Sequence, residues 1–296
     1  GGLPIMTSKG LRKFILRITE TVTAYFAHQV LANSHKMAEY MVDESLCHPS
    51  KLYVLGRGSS NGIDTSHFDE NEVAQSREQL RAQHDIPAGA FVFLFIGRMV
   101  RDKGVGEIVE AFEKIASNHP RVWLLLVGPS EEKLDPLKNA SWKIIHSHER
   151  IIQTGYQNDV RPWIKMSDLL LFPSYREGFP NVPLQAASMH VPAIVSNING
   201  CNEIINHGYN GWIVEPGDST GLLKMMEHLL QNPIEIKSAA GVAREMVEEN
   251  YSQHFIWNQL AELYRKDEVV SLFTGPRLRP IVGGKLNNNQ AQPKVG

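Results

Sequence analysis

The sequence predicts an α/β protein whose buried strands run parallel. Three observations carry that prediction. Short continuous apolar runs recur, at Phe91 to Ile96, Val122 to Val127 and Leu169 to Phe172. Unbroken apolar character, without alternation, is what strands buried on both faces show. The first and third of these runs end in polar, glycine-containing turns, and segments of helical composition follow. Strand, loop, helix, strand is the βαβ unit, and such sheets hold ligands at the carboxyl ends of their strands. With 296 residues and 42% hydrophobic content, the chain can bury a core for one large or two ordinary domains.

Taken in order, residues 11–27 read as an amphipathic helix. Leu11, Phe14, Ile15, Ile18 and Val22 fall on one face of a 3.6-residue period, and Lys9, Arg12, Lys13 and Arg17 precede the first acidic residue. Two readings stay open: a core-facing helix with a solvated basic side, or a peripheral membrane contact through residues 9–27 on anionic lipid. Residues 28–34 read as a short strand, 35–44 as a helix and 52–55 as a strand. Gly56-Arg57-Gly58-Ser59-Ser60-Asn61-Gly62-Ile63-Asp64 follows. Its spacing is not G-x-G-x-x-G and no helix opens directly behind it, which excludes the dinucleotide fingerprint. Its glycines suit a flexible hinge.

Residues 69–88 read as a polar helix stopped by Pro87-Ala88-Gly89. The strand at 91–96 leads through a loop to a helix over 105–115. Further strands are expected at 122–128, 151–156, 169–172, 192–196 and 211–214. Helices are expected at 161–166, 182–190 and 218–231, with a short one at Glu203. One or two more fall between Lys237 and Tyr264. From Gly275 onward the Gly-, Pro- and Asn-rich composition predicts disorder.

Composition excludes several functions. A net charge of −2 with 21% charged residues gives no electrostatic footprint for nucleic acid. Two cysteines, Cys47 and Cys201, stand far apart without metal spacing, which points to a reducing compartment and away from a disulfide scaffold. No run reaches the ~18 apolar residues of a membrane span. His146 and His148 form an H-x-H pair without a third ligand at metal spacing, so a structural role is expected for both. The chain begins Gly-Gly without methionine, and a fragment is expected.

Two loops carry the chemistry. The first, Gly97-Arg98-Met99-Val100-Arg101-Asp102-Lys103-Gly104, brings cations and glycines to a strand-to-helix crossing. It is not a P-loop, because Lys103 precedes its glycine and no Ser or Thr follows. A diphosphate is still well matched to it, although on chemistry alone surface solvation of Arg98 and Lys103 is the stronger reading. The second, Tyr175-Arg176-Glu177-Gly178-Phe179-Pro180-Asn181, opens a helix whose first N–H groups favour an anion or an electron-rich oxygen. Glu177 could grip two sugar hydroxyls, Gly178 admits close approach of backbone, and Gln185 presents an amide. On chemistry alone, a solvated turn carboxylate and a helix-surface Gln remain equally good readings.

Glu177-Gly178-Phe179-Pro180-Asn181-Val182, with the Gly97-Arg98…Lys103-Gly104 loop and the Asn61-Gly62-Ile63-Asp64 turn, resembles the retaining GT-B glycosyltransferases of family 4. The resemblance spans residues 1 to about 265 and is strongest from 91 to 218. It implies a GT-B-type Rossmann-like donor domain at 65–265, the last part of an acceptor domain at 1–64, and a disordered tail at 266–296. Most of the first domain, about 100 residues, is expected to be missing.

By the same resemblance, Arg98 and Lys103 hold the donor diphosphate and Glu177 orients the donor sugar. The loop residues Gly97, Gly178, Phe179, Pro180, Asn181 and Val182 contact the donor. At the position that normally holds ribose hydroxyls through a second Glu stands Gln185, a departure that weakens the contact. The loop after the 151–156 strand would cradle the base. The implied activity is sugar transfer from a nucleotide-diphosphate donor, UDP-linked, to a glycan or lipid-linked acceptor, with no metal required. A cytoplasmic location at the inner membrane face, in surface-polysaccharide synthesis, is expected. The runner-up is a non-catalytic donor-binding module, to which Gln185 and the short N-terminus lend support. A nicotinamide-dependent oxidoreductase is disfavoured by the missing fingerprint.

Overall fold

A computed structural model describes residues 3–6, 8–59, 61–131, 133 and 135–273, with backbone alone for 266–273. Two parallel sheets organise them. The smaller pairs β1 (Val30–Ala32) with β2 (Leu52–Val54), and carries α1 (Gly10–Phe26) and α2 (His35–Asp43). The larger has six strands: β3 (Phe91–Ile96), β4 (Val122–Val127), β5 (Ile151–Gly155), β6 (Leu169–Phe172), β7 (Ala193–Ser196) and β8 (Gly211–Val214). Their spatial order is β5-β4-β3-β6-β7-β8, parallel throughout.

That order explains the continuous apolar runs. Val92, Leu94 and Ile96 of β3 face one core while Phe93 and Phe95 face the other. One face is covered by α4 (Val105–Asn118), α5 (Asn139–Ser147) and α9 (Ser219–Gln231). The other is covered by α3 (Arg77–Ala82), α6 (Arg161–Lys165), α7 (Asn181–Ser188), α8 (Cys201–Ile204) and α10 (Pro233–Asn250). A strand buried on both sides has no polar face to alternate with.

The chain leaves β3 outward through β4 and β5, then returns to place β6 on the other side of β3. The order therefore reverses between β3 and β6, the point where open α/β sheets leave a crevice. At the opposite, amino ends of these strands, Asp168 fixes their register. It accepts from Val92 N at 2.7 Å, pairs with Arg81 at 2.8 Å and also pairs with Arg77. Arg81 is buried and also donates to the Met166 and Ala90 carbonyls, and desolvation holds its pKa below the usual arginine value.

The last helix, α11 (Gln253–Phe273), follows α10 and packs back on the first unit. Trp257 donates to Asn61 at 3.0 Å, Ile63 bridges to Ser252, and the Phe255 ring lies against Gly56.

Several sequence readings need correction. Residues 69–88 are not one helix; they hold a 3-10 turn at Glu70–Glu72 and the short α3, begun by a Ser76–Gln79 capping box. The helix α5 was not foreseen; His146 lies on it, stacked on Trp142, and His148 is its C-cap. The α1 face made by Leu11, Phe14, Ile15, Ile18 and Val22 does not face a core, being 49–74% exposed. Helix α11 continues to Phe273, beyond the expected boundary at 265, while 274–296 of the expected tail lie outside the described residues. Among the described residues, no helix is long and apolar enough to cross a membrane.

Candidate functional site

The two loops singled out by sequence leave β3 and β6, the two strands at the reversal point. They are stitched to each other residue by residue. Tyr175 N donates to the Asp102 carbonyl at 2.8 Å, and the Arg176 guanidinium pairs with the Asp102 carboxylate at 2.9 Å. Gly104 makes the crossing possible. Its φ is +71°, and a Cβ there would stand 2.2 Å from the Pro173 carbonyl oxygen. Gly200 does the same beneath the second loop, where a Cβ would meet the Gly178 carbonyl oxygen at 2.3 Å. Only glycine fits either position.

At the centre, Lys103 Nζ donates to Glu177 Oε1 at 2.5 Å, with side chains only 18% and 14% exposed. Arg98 pairs with Glu131 at 2.6 Å and Arg101 with Asp135 at 3.2 Å. Asp135 also accepts from Asp102 N at 2.6 Å, which fixes the turn between Arg98 and Lys103. Tyr175 OH donates to Glu107; burial first, and that carboxylate second, push its pKa up to about 12. The thiol of Cys201 is buried behind the loop. Its pKa is raised by burial and then by the nearby Glu177 charge.

Arg98, Lys103, Glu177 and Gly178 line one cleft of about 1100 Å³. The same cleft is walled by Leu3, Pro4, Met6, Ser8, Lys9 and Arg12 from the N-terminal unit, and by Asn199 after β7. The remaining expected donor residues do not line it. Phe179 is buried, its ring against Gly58 and at 5.7 Å from the Tyr251 ring centroid, so its side chain packs where the two units meet. The Gly97 carbonyl lies against Gly128, where an added Cβ would come within 1.9 Å. Pro180 is the N-cap of α7, Asn181 its exposed first residue, and Val182 packs on the core. Gln185 is half-buried and its side chain has no hydrogen-bond partner among the described residues. The first N–H groups of α7 lack a side-chain cap. The loop after β5 opens at Tyr156 on a separate pocket of about 410 Å³.

Sequence reasoning missed Glu131, Asp135 and Asn199. Each lies far along the chain from its neighbours in the cleft, and no spacing rule signals it. Glu203, expected to favour its own helix, reaches further: besides Gly200 N it accepts from His35 N at 2.8 Å, capping α2 of the first unit. Among the described residues, no group of three or more His, Cys, Asp or Glu could hold a metal ion.

The reversal point of a parallel sheet is where open α/β folds place their ligands, and here that crevice is lined by charged side chains. Residues 76–252, more than half of the chain, match the family model "Glycosyl transferases group 1". The chain belongs to that family. It is 28% identical over 265 residues to the capsular polysaccharide biosynthesis glycosyltransferase CapM of Staphylococcus aureus, covering 89% of this chain and 68% of that protein. It is also 28% identical to the N-acetyl-alpha-D-glucosaminyl L-malate synthase of Bacillus anthracis, covering 86% of this chain and 61% of the relative. The chain spans 61–68% of the length of these two relatives and 41–62% of that of further curated ones. Among solved structures, Anabaena Alr3699/HepE in complex with UDP superposes with a TM-score of 0.76 at 21% identity, over 88% of this chain and 70% of that one. The fold is accordingly the Rossmann-like α/β arrangement of GT-B proteins.

Proposed function

We propose that this chain is the donor-binding part of a retaining glycosyltransferase of family 4, which moves a sugar from a UDP-linked donor to a glycan or lipid-linked acceptor. The observation that carries the reading is the Lys103–Glu177 pair at the β3/β6 crevice. A diphosphate offers Lys103 a more negative partner than a single carboxylate does. Once Lys103 turns to it, both oxygens of Glu177 are free to accept hydroxyls of the sugar. Arg98 adds charge to the leaving diphosphate, and the uncapped N-terminus of α7 adds its dipole.

Retention is part of the same proposal and rests on the family resemblance. The carboxylates lining the cleft, Asp102, Asp135 and Glu177, are each held by a cation. In this reading Asp102 and Asp135 stay paired with arginines and Glu177 is engaged by the sugar hydroxyls, so no carboxylate is assigned a covalent sugar intermediate and the acceptor oxygen enters on the face the diphosphate leaves. The names of the relatives support a place in surface-polysaccharide synthesis. We extend the reading to the cytoplasmic membrane face: α1 presents exposed apolar residues beside Lys9, Arg12, Lys13 and Arg17, and contacts anionic lipid peripherally. Residues 1–64 then belong to the acceptor domain and 65–265 to the donor domain.

Proton NMR of the product tests retention. A UDP-α-sugar donor is expected to give an α-linked product, and a β-linked product contradicts the mechanism. A second reading, a donor-binding module without turnover, is favoured by Gln185, a neutral amide where the family pattern has a second Glu. It predicts UDP binding with no transfer at any acceptor.

A further inference from the structure

Three asparagines follow β7 closely, and the fold treats them differently. Asn197 and Asn202 are held: Asn202 Nδ2 donates to Asn197 Oδ1 at 2.8 Å, and Asn197 Nδ2 donates to Glu215 Oε1 at 2.9 Å. Asn199, between them, lines the cleft with Glu177 and Gly178. Its Oδ1 and Nδ2 are both closed to solvent, and neither has a hydrogen-bond partner in the protein. Among the described residues, it is the only side chain with a donor and an acceptor both in that state. Burying an unpaired amide is costly, and one kept in a folded protein calls for an explanation. The backbone around it is firmly placed. Gly200 sits against the Gly178 carbonyl with no room for a Cβ, and its N–H donates to Glu203 at 3.2 Å. Glu203 in turn accepts from His35 N of the first unit at 2.8 Å. The loop is thus fixed while the amide it carries is not. Asn199 is half-buried as a residue, so its side chain can turn into the cleft without breaking a hydrogen bond.

We propose that Asn199 is a specificity-determining residue: its amide takes a hydroxyl of the donor sugar and selects a neutral sugar over an acidic one. This rests on the donor assignment above, in which Glu177 takes other hydroxyls of the same ring. A primary amide offers one acceptor and two donors, and a hydroxyl also gives and receives, so the two match in either direction. The amide brings no charge of its own. A uronic acid carboxylate placed there would instead meet the like charges of Glu177 and Asp102, which line the same cleft. A site that hydrogen-bonds a substrate hydroxyl also rejects sugars that leave its polar groups unpaired. Asn197 and Asn202 cannot take this part, because each is spent on its neighbour.

The test is calorimetric titration with UDP, UDP-glucose, UDP-galactose, UDP-N-acetylglucosamine and UDP-glucuronic acid. Wild type is compared with Asn199→Ala and with Asn202→Ala, which removes a neighbouring amide outside the cleft lining. One of the neutral UDP-sugars is expected to bind the wild type most tightly. Asn199→Ala is expected to weaken it at least tenfold and to narrow its lead over the others, with UDP changed less than twofold. Asn202→Ala is expected to leave every affinity within twofold. Because Asn199 gives up no hydrogen bond, the ligand-free melting midpoint of Asn199→Ala is expected to equal or exceed that of the wild type. A lowered midpoint with parallel losses for UDP and UDP-sugars marks a structural residue and overturns the proposal. So do unchanged UDP-sugar affinities in Asn199→Ala, equal losses in the two variants, or UDP-glucuronic acid as the tightest ligand. Absence of UDP binding by the wild type overturns the donor reading and this proposal with it, whereas intact UDP binding with any of the contrary results overturns this proposal alone.

Discussion

At Gly104 the backbone takes φ +71°, and the Pro173 carbonyl lies where a side chain would begin. A Gly104→Ala change must both adopt a left-handed conformation, at ~1–2 kcal/mol, and push the β6 loop away from the β3 loop. It is expected to lower the melting midpoint and to abolish nucleotide binding, because Lys103 and Glu177 are registered across that contact. Asp168 provides the contrasting case. Removing its carboxylate in Asp168→Ala leaves Arg81 buried and unpaired, a loss of ~3–5 kcal/mol, read by urea denaturation, although no cleft residue is touched.

Asp69 gives a pH signature. Its carboxyl is held below the usual value mainly by the Asn71 N–H, and then by Arg244. A depressed folded-state pKa contributes stability that is complete above the unfolded value of ~3.9 and is lost as pH falls through the lower folded value. Melting of the wild type and Asp69→Asn is therefore expected to differ at pH 5 and to converge as the pH drops below about 4. A constant difference across that range would contradict the assignment.

Among the elements, α1 separates what periodicity can and cannot establish. Spacing gave an amphipathic helix, and the helix is there, from Gly10 to Phe26. Spacing could not say what its apolar face meets, because burial depends on elements elsewhere in space. Leu11 is 74% and Phe14 60% exposed. On the membrane reading, the chain is expected to sediment with vesicles containing anionic lipid and not with zwitterionic ones, and Ile15→Glu/Ile18→Glu is expected to abolish this. Sedimentation unchanged in that variant would remove α1 from the contact. The loops after β3 and β6 teach the complementary point. Their composition marked them as ligand-facing, but only the strand order, which no local pattern encodes, places them side by side.

Across the whole molecule, the parallel α/β class and the eight strands of the described residues were legible, most clearly β3, β4 and β6, whose burial on both faces leaves unbroken apolar runs. The polar segment 69–88 misled because composition without a periodic apolar face does not specify a helix. Of the site, Arg98, Lys103, Glu177 and Gly178 were singled out by the family resemblance, where loop chemistry alone did not separate a ligand role from solvation, and the structure places them on one cleft. The Phe179 side chain and the Gly97 backbone also pack, a role invisible until Gly58, Tyr251 and Gly128 are seen against them. Glu131 became meaningful only once it was seen paired with Arg98, 33 residues away along the chain. The account's central claim is that the crevice between β3 and β6 receives a nucleotide diphosphate through Lys103. Calorimetric titration of wild type and Lys103→Ala with UDP, after circular dichroism shows both folded, tests it most directly. The account predicts UDP binding by the wild type and at least a tenfold loss in the variant, about 1.4 kcal/mol. A folded wild type that ignores UDP, or a variant that binds it equally well, would contradict it.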